Sequence, residues 1–155
     1  MTIASYARRP VCTATPEETL LLASQRMEKE GIGLLVVTDG DRLAGVLTDR
    51  DIALEVAAEG RDATKTRLAD VMSDSPYSVR GDLALEKAFG LMREKRVRRL
   101  PVVDERDRIA GVVSMDDLVR LLSREIGALG EVVTAQLPAE SAGDAAPPRP
   151  VPGRE

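Results

Sequence analysis

The chain contains no histidine among its 155 residues, and this absence excludes several kinds of catalytic and metal site. Without an imidazole there can be no Ser-His-Asp triad, no Cys-His nucleophile, no histidine-based metal site and no histidine pH switch. The single cysteine, Cys12, excludes an intramolecular disulfide and a thiolate zinc cluster, and it suits a reducing cytosol. The sequence therefore favours a binding protein over an enzyme.

Aromatic residues make up only 2% of the chain, and its apolar stretches are only a few residues long. The core is therefore expected to be aliphatic, and neither a membrane-spanning helix nor a signal peptide is predicted. The formal net charge of −4 argues against bulk nucleic-acid binding, which requires a basic face. Together these features predict a small cytoplasmic α/β protein.

An internal repeat of 65 to 66 residues occupies most of the chain. The two copies are most similar in sequence at Gly45–Asp51 and Gly111–Asp117, and the apolar helix position Met27 recurs at Met92. A repeated unit that cannot close its own core usually packs against its copy. We therefore predict a unit over residues 9–64 and a second unit over residues 65–129.

Each copy is predicted to run in the order β-α-β-β-α. The predicted elements of the first copy are Pro10–Thr13 (extended), a helix capped by Thr15 and ended by Gly31, strands Leu34–Val37 and Leu43–Leu47, and helix Thr48–Ala58. Those of the second are Tyr77–Val79 (extended), a helix from Asp82, strands Arg98–Val103 and Ile109–Val113, and a helix from Ser114 towards Gly127. A short helical turn at Leu68–Met72 is predicted between the copies.

The C-terminal segment differs in kind from the repeat. Residues 131–155 hold five of the nine prolines and show no periodicity. Because such a segment cannot bury enough apolar surface to offset its ordering entropy, it is predicted to be a disordered tail.

A hydroxyl and a carboxylate stand three residues apart at each predicted strand–helix junction, as Thr48 with Asp51 and Ser114 with Asp117. One interpretation is a helix cap, in which the hydroxyl satisfies backbone N–H groups and the acid favours the positive end of the helix. The other is a nucleotide site, in which the hydroxyl contacts a phosphate and the carboxylate accepts both ribose hydroxyls. The spacing leaves both interpretations open.

A basic cluster surrounds the start of a strand in the second copy and includes Arg98 and Arg99. Such a run is commonly a solvated face. Strand alternation nevertheless sends one of the two arginines inward, where its guanidinium could grip a phosphate. The first copy has Ile32 and Gly33 at the matching positions, so it lacks the two basic side chains that the second copy has there.

The tandem units resemble a pair of CBS domains, the arrangement known as a Bateman module, over roughly Arg9 to Leu129. The resemblance implies a pseudo-twofold pair of small sheets packed face to face, with two clefts between the copies. It also implies that an adenosyl ligand (AMP, ADP, ATP or S-adenosylmethionine) occupies these clefts and regulates a partner protein. No other cofactor and no metal are expected.

The same resemblance assigns ligand contacts to six residues. The carboxylates match positions that bind ribose, the hydroxyls match positions that contact phosphate, and the arginines match basic positions that reach phosphates: Asp51, Asp117, Thr48, Ser114, Arg98 and Arg99. The first copy lacks the basic residue of the usual pattern, and Arg8 or Arg9 could compensate there.

We therefore expect a regulatory sensor module with no catalytic activity, no membrane segment and no nucleic-acid partner, signalling to another protein. A homodimer is expected, because a pair of this size buries only about two-thirds of its surface alone and the faces with Leu118, Leu121 and Leu122 are unusually apolar. The alternative is a scaffold or dimerisation module without a ligand. A pure scaffold would not need a carboxylate at the same place in both copies, Asp51 and Asp117.

Overall fold

The computed structural model describes residues 2–136, and within them each copy of the repeat forms a three-stranded sheet. In both sheets a two-residue first strand pairs parallel with the middle strand, and the middle strand pairs antiparallel with the third. The predicted α/β class and the β-α-β-β-α order are thus confirmed in both copies.

The elements follow the repeat closely. The first copy contains β1 (Thr13–Ala14), α1 (Leu20–Glu30), β2 (Leu34–Asp39), β3 (Arg42–Thr48) and α2 (Asp49–Ala53), with a π-helical turn at Leu54–Ala58. The second copy contains β4 (Val79–Arg80), α3 (Leu85–Lys95), β5 (Arg99–Val103), β6 (Ile109–Ser114) and α4 (Met115–Gln136). A 3-10 turn at Leu68–Asp70 lies between them, within the segment predicted to be helical.

The first helix of each copy begins later than predicted. Thr15 does not cap α1, because its backbone N–H donates to the Glu18 carboxylate at 2.9 Å and closes a separate turn. The N-cap is Thr19, whose hydroxyl accepts from the backbone N–H three residues on. Likewise α3 begins at Leu85 and not at Asp82. A capping sequence stabilises a local turn whether or not a helix follows it.

The helix α4 extends further than predicted and ends at Gln136. The predicted disorder is therefore wrong for Glu131–Gln136, which contain no proline and continue the helix. The rest of that predicted tail lies outside the described residues. The chain divides into a compact unit Met1–Val119, which contains both sheets, and a second unit that begins at Arg120.

The core is aliphatic, as expected from the scarcity of aromatic residues. The repeated helix positions are buried in both copies: Leu20, Ala23 and Met27 in α1, and Leu85, Ala88 and Met92 in α3. The middle strand β2 is buried over five consecutive residues, as its continuous aliphatic run predicts for a strand covered on both faces.

Two contacts between equivalent residues confirm the predicted pseudo-twofold arrangement. Arg42 pairs with Arg108 in an antiparallel bridge, and the Arg99 guanidinium donates to the Gly33 carbonyl at 3.4 Å. The members of each pair stand 66 residues apart, which is the repeat length of the strands. Positions related by a twofold axis contact each other only where they lie beside that axis, so the two copies face each other across it.

Each copy is completed by a crossing segment, which is the stretch of chain that precedes the other copy's sheet: the stretch around Ile3 for the second copy and the stretch around Leu68 for the first. The backbone N–H of Ile3 donates to the Leu83 carbonyl at 2.9 Å, and Arg8 pairs with Val112 in β6. Sixty-five residues later, the N–H of Leu68 donates in the same way to Glu18 of the first copy at 2.9 Å. The start of the chain therefore packs on the second copy, and the linker packs on the first.

The glycines of the repeated motif are required by this packing. A Cβ on Gly111 would lie 2.6 Å from the Cβ of Ala7, and a Cβ on Gly45 would lie 2.6 Å from the sulfur of Met72. Both distances are shorter than side chains tolerate. Glycine at these positions allows the crossing segment to approach the third strand of each sheet.

The turn between β5 and β6 gives a testable pH dependence. The Asp104 carboxyl accepts hydrogen bonds from the side chain and backbone of Arg108 and from the backbone N–H of Arg106. These bonds lower its pKa to about 2, whereas the same carboxyl in an unfolded chain has a pKa of about 3.9. Because the folded pKa is the lower one, the stabilisation is present above pH 4 and is lost as the pH falls towards 2. We expect Asp104→Asn to flatten the pH dependence of urea unfolding in that window, with Glu105→Gln on the same turn as the control. If the free energy of unfolding of Asp104→Asn depends on pH between 4 and 2 as steeply as that of the wild type, the prediction is wrong.

Candidate functional site

The first strand–helix junction forms the cap that its sequence predicts. The Thr48 hydroxyl accepts from the backbone N–H of Asp51 at 3.1 Å, and the Asp51 carboxylate accepts from the Thr48 N–H at 2.8 Å. The Thr48 hydroxyl also donates to the same carboxylate oxygen, Oδ2, at 2.7 Å. Both residues are half-buried, and Oδ1 of Asp51 takes no part in this reciprocal cap.

The second junction shares the hydroxyl–carboxylate contacts of the first and adds an arginine. The Ser114 hydroxyl donates to Asp117 at 2.5 Å and accepts from its backbone N–H at 3.1 Å. The guanidinium of Arg8 also grips Asp117, with N–O distances from 2.7 to 3.1 Å. The Asp117 side chain is 15% exposed. Arg8 therefore does not supply the first copy, as considered above, but pairs with the carboxylate of the second.

The adjacent arginines Arg98 and Arg99 point in different directions, as strand alternation predicts. The side chain of Arg98 is 76% exposed and pairs with Asp116 of the second junction at 3.1 Å. Arg99 is half-buried and reaches across the twofold axis to the carbonyl of Gly33 in the first copy. The basic group that the first copy lacks in sequence is thus supplied by the second.

A cleft of about 470 Å³ opens where Arg99 meets the first copy. Its lining comes from α1, the loop before β2, the start of α2 and the start of β5: Ser24, Met27, Glu28, Gly31, Ile32, Gly33, Asp49, Ile52 and Arg99. The volume lies within the range of roughly 300–1,000 Å³ that small-molecule sites occupy. Apolar side chains, the Arg99 guanidinium and two carboxylates, Glu28 and Asp49, share this space.

The six predicted contact residues do not form one site, and of the six only Arg99 lines the cleft. Thr48 and Asp51 lie at the first junction, where Arg99 also arrives, whereas Ser114, Asp117 and Arg98 lie at the second. Asp49 in the cleft was missed as a contact, and Arg8, considered for the first copy, lies on Asp117 of the second. The sequence signal for Asp49 was its place directly after Thr48, but an acid in the first turn of a helix already has a local explanation.

Gly33 keeps the cleft open, which gives a second prediction. A Cβ there would lie 2.9 Å from both Nη2 of Arg99 and Oδ2 of Asp49. Because both atoms end flexible side chains, Gly33→Ala should displace them and weaken any anionic ligand of the cleft at little cost in stability. Gly90→Ala, which meets nothing within 4 Å, is the matched control. Equal ligand affinity in both variants by isothermal titration would contradict this.

Residues 2–136 contain neither a metal-binding cluster nor a membrane-spanning helix. There is no group of three or more histidine, cysteine or carboxylate side chains that could hold a metal ion. No described helix has the length and apolar character needed to cross a membrane.

The fold and the two junctions define a tandem-repeat α/β module with a cleft between its copies. The family model for the CBS domain matches residues 3–58 and 68–124. The chain therefore belongs to the CBS domain family and carries two such domains. The matched ranges begin at the two crossing segments, Ile3 and Leu68.

Two relatives match this chain over about three quarters of its length. The CBS domain-containing protein YhcV of Bacillus subtilis is 39% identical over 116 residues, which cover 74% of this chain and 81% of that protein. An uncharacterised protein of Methanopyrus kandleri is 32% identical over 122 residues and 78% of this chain. The match spans only 62% of the length of the Methanopyrus protein.

Solved structures of CBS-pair proteins superpose on the chain. A protein with CBS domains from Burkholderia ambifaria is 33% identical, with a TM-score of 0.73 over 79% of this chain and 93% of its own. A CBS domain pair in complex with 5′-methylthioadenosine and S-adenosyl-L-methionine has a TM-score of 0.72 at 24% identity, covering 79% of this chain and 99% of its own. The second likeness is one of fold.

Proposed function

We propose that this protein is a regulatory module that binds an adenosyl ligand between its CBS domains and, when the ligand is bound, signals to a partner protein. The observation that carries this proposal is the arrival of Arg99, from the second copy, in the cleft beside the Thr48–Asp51 junction of the first. The ligand class is AMP, ADP, ATP or S-adenosylmethionine. We expect no catalytic activity from the chain itself.

The cleft and the Thr48–Asp51 junction beside it together suit such a ligand. The Asp51 carboxylate can accept both hydroxyls of a ribose, and the Thr48 hydroxyl beside it can contact a phosphate. The guanidinium of Arg99 can grip further phosphate oxygens or a carboxylate with two parallel bonds. Apolar lining from Met27 and Ile52 can cover one face of an adenine ring.

The ligand-bound CBS pair described above supports the choice of class, since the same fold accommodates two adenosyl compounds there. Its ligands are properties of that protein, and the ligand screen below measures which member of the class this chain binds. The proposal includes a homodimer, as expected from the sequence. Of the residues that suggested it, Leu118 is fully buried in the monomer, Leu121 is half-buried, and Leu122 is 42% exposed.

A scaffold without a ligand is the second candidate, and one observation favours it. In both copies the hydroxyl and carboxylate already bond to each other as helix caps, and Arg8 engages Asp117 as well. In this reading the acids serve only the fold.

A thermal-shift and isothermal titration screen with AMP, ADP, ATP and S-adenosylmethionine separates the candidates. A ligand at about 100 times its dissociation constant should add roughly 2.7 kcal/mol to the free energy of unfolding. For a chain of this size that raises the melting temperature by about 5–10 °C. If none of the four compounds binds at millimolar concentration, the sensor proposal fails and the scaffold takes its place.

A further inference from the structure

The part of α4 that belongs to the second unit exposes a row of large aliphatic side chains. Leu122, Ile126, Leu129 and Val133 are 42%, 68%, 67% and 60% exposed. They are spaced by four, three and four residues, so they share one face of the helix. We name these four residues the α4 stripe. Scattered single apolar residues are normal on surfaces, whereas a contiguous row of this kind marks an interaction face.

This part of α4 also lacks the local features that would stabilise it alone. Every residue from Leu122 to Gln136 is exposed in the part of the chain that the structure describes. Helices shorter than about 12–15 residues are marginal in water even with the best helix formers. Gly127 and Gly130 each disfavour the helix by about 1 kcal/mol relative to alanine. The helical state here therefore needs a partner that covers the stripe.

We propose that the partner is a second copy of this chain and that the two α4 helices pair in parallel through the stripe. The proposal locates the homodimer contact that forms part of the proposed function, and it does not depend on the ligand. In heptad register the stripe places Ile126 and Val133 at a positions and Leu122 and Leu129 at d positions. β-Branched residues at a with leucine at d favour parallel two-stranded pairing. Val119 falls on a further a position of the same register.

The positions that flank the stripe permit this pairing. Ser123 and Gly130 occupy e positions, and Glu125 and Val132 occupy g positions. In a parallel pair, each g residue faces an e residue of the other helix, so Glu125 faces Gly130 and no like charges meet. Small residues at both e positions let the helices approach closely, and Val132 extends the apolar cover.

Two other occupants fit the stripe poorly. The segment of this chain after Gln136 contains only two large aliphatic residues, Leu137 and Val151, too few to cover four. An anionic membrane surface would require a basic helix. From Arg120 to Gln136 two arginines are balanced by two glutamates, so no such attraction exists.

Molar mass measured by light scattering on the full chain tests the proposal. We expect the wild type at tens of micromolar to have twice the 16.7 kDa of one chain, and Ile126→Glu/Leu129→Glu to have the monomer mass. Ala128→Glu, on the same helix but outside the stripe, should remain dimeric. A monomeric wild type, which would leave the stripe to a different protein, overturns the proposal. A dimeric stripe variant does so equally, because the contact then lies on another face.

Cross-linking tests the parallel orientation. In a Cys12→Ser background, Leu129→Cys should form a disulfide between two copies on mild oxidation, because equivalent d positions face each other in a parallel pair. Ala128→Cys should not, and an absence of the disulfide in Leu129→Cys would contradict the parallel arrangement. The ligand screen above should give the same affinities for the stripe variant as for the wild type, so failure of the sensor proposal and failure of this one are separate results.

Discussion

Replacing Ile3 by alanine is expected to lower the free energy of unfolding by about 2–5 kcal/mol, an effect typical of large aliphatic side chains in a core. Ile3 is fully buried although it stands near the start of the chain. Its backbone N–H bonds to Leu83 of the second copy, as the N–H of the equivalent residue Leu68 bonds to Glu18 of the first. Shortening either side chain leaves a cavity that rigid sheet and helix neighbours cannot collapse.

The measurement is urea unfolding of Ile3→Ala and Leu68→Ala beside the wild type. The two variants should lose similar stability, since the residues are equivalent in the repeat and both are fully buried. Leu22→Ala on α1, where the side chain is 49% exposed, is the control and should change stability by only about 0.5 kcal/mol. An Ile3→Ala variant as stable as the control would show that the crossing segment does not hold the second copy together.

The order of elements could be predicted because it depends on local patterns. Apolar spacing in α1 and α3, the aliphatic run of β2 and the turn residues between strands each act within a few residues. The repeat of these patterns also predicted two packed copies. Periodicity identifies the face a residue presents, and for Leu20 and Leu85 that face was the core in both copies.

Which copy a segment packs against could not be predicted in the same way. Ile3 lies nearest in sequence to the first copy but packs on the second, and Leu68 lies nearest to the second copy but packs on the first. No local sequence pattern shows which of the two copies each segment joins. The same holds for Arg99 and Arg8, each of which reaches a junction far from it in the chain. Only the twofold arrangement of the copies determines these contacts.

The positions of Arg99 and Arg8 change which of the two strand–helix junctions is expected to bind a ligand more tightly. From sequence, the second junction is favoured for an anionic ligand because Arg98 and Arg99 precede it. In the structure Arg99 lies in the first cleft, and the carboxylate of the second junction, Asp117, is held by Arg8. A ribose that approached Asp117 would have to displace that guanidinium, whereas Oδ1 of Asp51 lies outside its cap.

Asp51→Ala is therefore expected to weaken an adenine nucleotide about tenfold to a hundredfold, more than Asp117→Ala. Loss of hydrogen bonds to a charged group costs roughly 1.5–3 kcal/mol, and each 1.4 kcal/mol corresponds to a factor of ten. Arg99→Ala should weaken ATP more than adenosine, because only ATP carries phosphates that the guanidinium can grip. Isothermal titration of the three variants with both compounds measures these differences.

Two controls separate ligand contact from helix capping. Asp51→Asn keeps an oxygen that can accept from the Thr48 N–H but removes the charge, so it should retain stability and still lose affinity. Asp70→Ala removes a comparable capping carboxylate, which accepts from the backbone N–H of Arg67 at 3.3 Å on the separate turn Leu68–Asp70, so it should leave affinity unchanged. If Asp51→Ala lowers only stability, by up to about 1 kcal/mol, and binds ATP like the wild type, the carboxylate is a cap alone. The first junction would then not be the ligand site, whatever Arg99 contributes to the cleft.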